Sequence, residues 1–511
     1  MILGLAACVL FLGGTIRRDR NLWGIVALTG LAVAFLALML VPRPTLDEDA
    51  LRSAVFNSPI FVDRLAVWIA AIAIAGGLVL VLSSWNEVSD EHAAEYHGCL
   101  LVIIAGVGIS SAANELVTLF LGLELISIPT YVLLYLTRFQ EGTQEAAMKY
   151  FLLSIFSSAL LLFGFSYLYG VTGTTNIPAI LAALGSGNNF GLPVVTQIAL
   201  VTVVAGLGFR ITAVPFHFYA PDVYQGTTNS AAALLAFVPK VAGFAVLLRV
   251  LGDVPNPLLK VEIGTELGTQ VPNLLWILAA ATMTVGNVLA LLQDNLRRLL
   301  AYSSVAHSGY ILIALAAIPA LWHRGHAPNQ ISGGVDAIVF YLIAYGAMTV
   351  GAFTMLGYLS RSDRPVEKVD DLAGLGSTHP GLALLLMLFL LSLTGIPVTA
   401  GFFGKLFVFL SALSVSDTQT TANQARLFQA LAVIGVVNAA LGGWYYLRVI
   451  ATMYFRGALK PLPRVVSWTG LAALIICGAV TIAAPWTLWS PAREILPEST
   501  VGEGWGKVRE K

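Results

Sequence analysis

The chain is a succession of long apolar runs separated by short polar breaks. The runs lie near residues 1–15, 22–42, 60–84, 96–113, 115–137, 149–171, 194–220, 229–251, 273–292, 299–320, 334–360, 380–412, 427–455 and 467–487. Within each run the apolar positions are continuous rather than alternating, which excludes the dyad pattern of a transmembrane β-barrel. A bilayer-crossing helix needs about 20 mostly apolar residues, so the pattern predicts fourteen transmembrane helices. The thinnest break falls between the fourth and fifth runs, where only Asn114 and Glu115 mark a turn. At the start, Leu5-Ala6-Ala7-Cys8 superficially matches a lipoprotein cleavage box. The apolar stretch continues past Cys8, however, and the basic cluster Arg17, Arg18, Arg20 follows it. That is the reverse of a signal peptide's order, so residues 1–15 read as a short first span.

Composition narrows the class. Of 511 residues 57% are hydrophobic and 11% charged, against about 25% charged in soluble domains. A soluble chain of this length needs several domains with polar faces, and this one lacks the charge to make them. With 28 basic and 28 acidic residues, no basic surplus points to nucleic acid. The expected fold class is an all-α polytopic membrane protein in the lipid bilayer. Cys8, Cys99 and Cys477 are scattered through apolar runs with no Cys-x-x-Cys; they read as packing residues, not as an iron–sulfur or zinc site. The Lys/Arg bias of the loops sets orientation. Loops after odd-numbered spans hold twelve basic residues, and the opposite side five before the tail adds four. The odd loops are expected in the cytoplasm and both termini on the outer face.

Ionisable residues inside the runs carry the functional signal. A charge at the bilayer centre costs roughly 2.5–3.5 kcal/mol on insertion scales, and such residues commonly mark ion paths. Glu124 sits in LFLGLELISIP, Lys149 in EAAMKYFLLS, Arg210 in GLGFRITAVPFH with His217 beyond it, Lys240 in LLAFVPKVAGF, His307 in AYSSVAHSGYIL, Lys405 in GIPVTAGFFGKLFVF and Arg448 in GWYYLRVI. Lys149 and Arg448 lie near span ends, where snorkelling to the headgroups is an equal reading. His307 reads equally as a satisfied interior histidine. Glu124, Lys240 and Lys405 are flanked by apolar residues on both sides, which leaves a buried salt bridge or a proton relay; their spread over separate spans favours the relay. Lysine suits relay chemistry because its proton affinity shifts with its surroundings, whereas arginine stays charged.

The seventh span is interrupted by Pro215, and the twelfth by Pro397 among Gly395, Gly401 and Gly404. Paired Gly/Pro breaks in corresponding halves point to inverted repeats with sites at the breaks; a simple kink is the alternative. The expected organisation is a three-helix segment over 1–94, a five-helix repeat over 95–251 (spans 4–8), a second over 273–455 (spans 9–13), and a last helix with tail over 467–511. Glu124 then corresponds to His307, and Pro215 to Pro397. There is no Walker A motif and no dinucleotide fingerprint; Gly185-Ser-Gly187 has the wrong spacing. His323 and His326 lack carboxylate or cysteine neighbours at ligand spacing and read as a solvated loop, so no metal is expected.

Five segments together carry a resemblance: LFLGLELISIPTYVL, EAAMKYFLLS, GFRITAVPFHFYAPDVYQG, AYSSVAHSGYIL and LTGIPVTAGFFGK. Over residues 95–455 the chain resembles the subunit N family of bacterial NADH–quinone oxidoreductase (complex I), counterpart of mitochondrial subunit 2. PDVYQG is the most specific piece, since the sister subunits L and M usually carry a Glu-Gly-Pro variant there, and a lysine at position 405 argues against subunit M. The resemblance implies a fourteen-helix inverted-repeat subunit of the membrane arm, a non-redox part of a proton-translocating enzyme. It implies a pairing of Glu124 with Arg210 and a relay of Glu124, Lys149, Arg210, Lys240, His307 and Lys405. No cofactor is implied in this chain; NADH, FMN, iron–sulfur clusters and quinone belong to partner subunits, with M-type and K-type subunits as neighbours in a bacterial inner membrane. Two departures stand out. Arg210 occupies a position that is usually lysine and cannot give up its proton, and QGTTNSAAALLAF lacks the family's prolines after the glycine. The competing readings are an Mrp-type cation/proton antiporter and an inert scaffold that seals the membrane arm.

Overall fold

A computed structural model of the chain describes residues 1–40, 55–136, 141–185, 194–251, 267–322, 334–360, 365–415, 422–457 and 467–487. Its helices are α1 (Ile2–Gly14), α2 (Arg20–Leu40), α3 (Arg64–Ser84), α4 (Ala93–Ala112), α5 (Leu116–Leu136), α6 (Glu141–Thr172), α7 (Ile177–Gly185), α8 (Val194–Arg210), α9 (Ala220–Gly226), α10 (Asn229–Val250), α11 (Leu267–Leu291), α12 (Leu296–Trp322), α13 (Gly334–Leu359), α14 (Pro380–Thr394), α15 (Ala400–Leu413), α16 (Ala422–Phe455) and α17 (Trp468–Thr487). Extended pairing among the described residues is confined to isolated bridges. Among the described residues eleven helices are long and apolar enough to cross a bilayer, and α1, α8, α14 and α15 are shorter apolar helices. The chain is an all-α, multi-pass membrane protein. The thin break at Asn114 and Glu115 is a real one: α4 ends at Ala112 and α5 begins at Leu116.

Two apolar runs are not single helices. The run 194–220 stops as helix at Arg210, and 380–412 splits into α14 and α15. The cause is local. Pro215 has no N–H to continue a helix and its ring crowds the preceding turn. Thr212 (φ 56°) and Val398 (φ 83°) are β-branched residues in the left-handed region, a conformation that costs about 1–3 kcal/mol and that surrounding structure must impose. Gly395 (φ 91°) ends α14, its N–H donating to the carbonyls of Leu391 and Ser392, a glycine C-cap.

Burial divides the helices into a centre and a rim. Of an apolar 18-residue stretch in each, 100% is buried in Asn229–Val250, 94% in Leu296–Ile318 and 89% in Gly334–Leu359, against 28% in Arg20–Leu40. The inner three, α10, α12 and α13, therefore meet protein on all sides. Rim helices turn Leu121, Leu125 and Ile128 of α5, and Val433, Val436 and Val437 of α16, outward, as lipid-facing positions should be. Cys99 and Cys477 are buried, as packing residues are; Cys8 is exposed because α1 is peripheral and that residue faces outward. With 32 residues, α6 is about 48 Å long at 1.5 Å per residue, longer than the hydrocarbon core of about 30 Å.

The start of α5 and the start of α12 are tied in the same way. Leu116 N donates to Thr175 O and Ile177 N to Asn114 O; Leu296 N donates to Glu367 O and Val369 N to Asp294 O. Setting Leu116 against Leu296 places Glu124 opposite Ser304 and Ser127 opposite His307. The same register is kept at two glycines. Gly106 lies against Gly122 O and Ile126 N, as Gly286 lies against Tyr302 O and Ala306 N. The expected Glu124–His307 correspondence is therefore displaced: His307 stands one helical turn farther along than Glu124's counterpart. The hydropathy pattern alone carries no register finer than a turn.

His323, His326 and Ser186-Gly187 lie outside the described residues, as do many loop cations used for orientation, including Arg43, Arg52, Arg138, Lys260, Arg361 and Lys460.

Candidate functional site

Glu124 lies midway along α5 and meets the last residue of α8. Arg210 Nη2 donates to Glu124 Oε1 at 3.2 Å, and Ser158 Oγ of α6 donates to the same oxygen at 2.5 Å. Arg210 also donates to Leu123 O at 3.3 Å and to Ser127 Oγ. Its side chain is 2% exposed, and that of Glu124 23%. The helix stop at Arg210 is what brings its guanidinium to α5. A guanidinium is always protonated, so this pair is a fixed charge pair. Removing one partner of a buried pair leaves the other uncompensated. Arg210→Ala is expected to cost ~3 kcal/mol, the low end for such pairs because Glu124 keeps some exposure. Arg210→Lys, which keeps the charge but not the fork, is expected to cost less. The yield of intact protein from membranes, read with thermal unfolding in detergent, checks both.

Lys149 is elsewhere. It sits two turns into α6 and donates to Asp222 Oδ2 at 2.9 Å and pairs with Glu145 at 2.7 Å, with its side chain 40% exposed. Asp222, on α9, also receives Arg298 Nη1 of α12 at 2.6 Å. Lys149, Glu145 and Asp222 line a polar pocket of about 380 Å³ with Gln225, Arg297 and Glu367. Of the two sequence readings, the span-end one matches its position: it does not join Glu124. Arg448 likewise pairs with exposed Asp294. His217 lies in the turn between α8 and α9, with a buried Nδ1 that has no hydrogen-bond partner.

The remaining three candidates converge in the buried centre. Lys240 on α10 is 0% exposed. Its Nζ donates to Ser304 Oγ at 2.5 Å and to the Ser304 carbonyl, and lies 5.2 Å from the Tyr345 ring centroid. Pro239 precedes it inside the helix and supplies no N–H, which leaves the carbonyl one turn back without its helix bond. His307, one turn past Ser304 on α12, joins two hydroxyls: Nδ1 is 2.8 Å from Tyr341 Oη, and Nε2 3.2 Å from Tyr446 Oη. Tyr446 in turn bonds Ser303. Lys405 on α15 donates to the carbonyls of Leu393 and Thr394 at 2.8 and 2.9 Å and lies 5.0 Å from the Tyr310 ring. Those carbonyls are free because α14 ends there, and a helix C-terminus favours a cation. Both lysines are within electrostatic range of His307. Among the described residues none of the three has an ion-pair partner.

In this centre Lys240 bonds Ser304, which also accepts from Tyr345 Oη; His307 bonds Tyr341 and lies 5.3 Å from Tyr345 between ring centroids; and Lys405 lies over the Tyr310 ring. A neutral imidazole accepts at one nitrogen and donates from the other, so it can pass a proton between the hydroxyls it links. Sequence reasoning missed the tyrosines and serines. Their signal was present as Tyr341/Tyr345 and Ser304/Ser308, polar pairs at one-turn spacing in otherwise apolar helices. No charge flagged them.

Comparison with known proteins agrees with this geometry. The family model "NADH:quinone oxidoreductase/Mrp antiporter, TM" matches residues 113–425. The chain is 37% identical over 434 residues to NADH-quinone oxidoreductase subunit N of Trichlorobacter lovleyi, covering 84% of this chain and 81% of that one. It superimposes on a chain of respiratory complex I from Thermus thermophilus with a TM-score of 0.73 at 28% identity, covering 96% and 98%. A chain of the Mrp complex from a Dietzia species shares the fold alone, with a TM-score of 0.75 at 19% identity over 97% and 96%. The matched segment spans both Glu124–Arg210 and the Lys240–His307–Lys405 centre, and the chain belongs to the NADH:quinone oxidoreductase/Mrp antiporter transmembrane family, among its subunit N members.

Proposed function

We propose that this protein is a proton-translocating membrane-arm subunit of an NADH:quinone oxidoreductase. It carries no redox group itself and is driven by quinone reduction in partner subunits, with M-type and K-type subunits beside it in a bacterial inner membrane. The observation that carries the reading is the buried cluster of Lys240, His307 and Lys405, set among Ser304, Tyr341, Tyr345 and Tyr310 and without a carboxylate partner among the described residues. A structural salt bridge would pair each lysine with an acid. A moving proton needs bases that can be vacated, and these are. Glu124 and Arg210 set the local field without exchanging a proton at the guanidinium, and Lys149 serves at the surface.

In this reading α8 with α9, and α14 with α15, each count as one broken crossing, giving fourteen. Residues 95–251 and 273–455 are two five-helix repeats of opposite topology, flanked by 1–94 and 467–511, with odd loops cytoplasmic. The recurrent backbone ties at Leu116 and Leu296 support the repeat.

The test uses the assembled complex in proteoliposomes. Lys240→Ala is expected to lower the protons moved per quinone reduced while assembly persists. Normal pumping in that variant counts for a sealing scaffold. Sodium–proton exchange by this chain without electron donors counts for the Mrp-type reading.

A further inference from the structure

The head of Lys405 has two kinds of neighbour, and they respond differently to its charge. An ammonium has three hydrogens to donate. The carbonyls of Leu393 and Thr394 accept at 2.8 and 2.9 Å, and the charge lies 5.0 Å from the centroid of the Tyr310 ring. A neutral amine keeps two hydrogens, enough for both carbonyls, but offers no charge to the negative face of a ring. The carbonyls can thus be bonded in either state, whereas the ring acts on the charge alone. Cation–π attraction is strongest for a desolvated cation, and Lys405 is buried. The same ring stands edge-on to His307, with centroids 5.6 Å apart.

What ties the ring in place is an amide on another helix. Asn287 of α11 is buried, and its Nδ2 shares two hydrogens among Tyr310 Oη at 3.0 Å, Met283 O at 2.9 Å and Asn438 Oδ1 at 3.2 Å. From α16, Tyr445 Oη donates to Asn287 Oδ1 at 3.1 Å. Buried amides between membrane helices often do no more than join them. The register set by Leu116 and Leu296 points further. It places Val107 opposite Asn287 and Thr130 opposite Tyr310. Val107 is buried, and Thr130 Oγ1 bonds its own helix at Ile126 O. The half of the chain that holds Lys405 carries the amide and the ring, and the other half packs the same positions without them.

We propose that Asn287 is a positioning residue for Lys405, acting through the Tyr310 ring over which the ammonium lies. This role rests on the relay reading above. Asn287 carries no proton itself; it holds the hydroxyl tip of the ring whose face favours the loaded lysine. With the tie cut, Lys405 keeps its proton less readily. Of the helices packed on α15, α12 brings His307 and Tyr310 to this centre, α13 Tyr341 and α16 Tyr446, while α14 and α17 contain no charged residue. His307 alone among these has an ordinary titration near neutral pH, and its bonds to Tyr341 and Tyr446 do not involve Asn287.

The test is the number of protons moved per quinone reduced by the assembled complex in proteoliposomes, measured against pH at equal assembly. Tyr310→Leu, which removes the ring, is expected to lower it about tenfold at neutral pH, the scale of a desolvated cation–π contact. Asn287→Leu and Tyr310→Phe cut the tie from either side. Each is expected to give a smaller loss of equal size, and the double variant no further loss. Acidification restores pumping in all of them, because a weakly held proton is held again at higher proton activity. An amide that only joins helices predicts fewer assembled complexes with a normal ratio at every pH. That result overturns the proposal, as do additive losses or losses that acidification leaves unchanged. Lys405→Ala is measured alongside. If it alone is impaired, the positioning role falls and the relay stands; if every variant is normal, both fall. Loss in the Asn287 and Tyr310 variants with normal Lys405→Ala also overturns the role, since the lysine is then unneeded. If Asn287→Leu does not assemble, Tyr310→Phe, which removes the same bond, is read against the same outcomes.

Discussion

Lys405→Ala is expected to stop proton movement through this subunit while leaving the chain in the membrane. Two effects oppose each other on stability. The variant removes a buried ammonium, whose desolvation costs several kcal/mol. It also strips the carbonyls of Leu393 and Thr394 of their donor, at about 1–3 kcal/mol per unsatisfied group. These nearly cancel, because the end of α14 beside the break retains the glycine cap at Gly395. Function has no such compensation. Lys405 is the far member of the buried series and the one set at a helix break. With alanine there, a proton arriving at His307 has no further base among the described residues. The check is the number of protons moved per quinone reduced in proteoliposomes, together with the amount of subunit recovered in the complex.

Gly401→Ala is expected to be the most damaging glycine-to-alanine change among the described residues. A Cβ built on Gly401 lies 1.9 Å from the Ser392 carbonyl oxygen and 2.7 Å from its carbon. Both are backbone atoms of α14, so no side-chain rotation relieves the clash. The first turn of α15 would have to withdraw from the end of α14. That also breaks the donation from Gly401 N to Ser392 Oγ at 3.1 Å and carries Lys405, one turn along, away from its two carbonyls. Overpacking costs typically about 1–3 kcal/mol, occasionally more, and an approach this close between two backbones belongs at the upper end. Gly381→Ala, where a Cβ meets nothing within 4 Å, is the matched control and is expected to behave as wild type. Thermal unfolding in detergent compares the two.

What the sequence revealed depended on how each residue declares itself. Long apolar runs announce helices, and a lysine or glutamate inside one is conspicuous because charge is expensive there. Glu124, Lys240 and Lys405 were therefore legible, as was the unusual arginine at position 210. The pairing of Glu124 with Arg210 was implied by the resemblance, but the lysines' lack of an acid was not legible. Glu124 pairs with Arg210 and neither lysine pairs with an acid, a fact set by helix stops at Arg210 and Thr394 that hydropathy reads as continuous spans. Lys149, near a span end in the sequence, sits in a surface cluster with Glu145 and Asp222. The connecting groups stayed hidden for another reason. Tyr341, Tyr345, Tyr446 and Ser304 are ordinary in apolar helices, and only the packing of α10, α12, α13 and α16 around one another gathers their hydroxyls about Lys240 and His307.

The account's central claim is that Lys240 and Lys405 act by exchanging protons and not by standing as fixed charges. Arginine keeps the positive charge and gives up the proton chemistry, and the chain already tolerates a buried arginine at position 210. The decisive measurement is proton translocation by the assembled complex carrying Lys405→Arg, compared with Lys405→Ala at equal assembly. Pumping lost equally in both is the predicted result. Pumping restored by arginine to the level of the unmodified complex would contradict it.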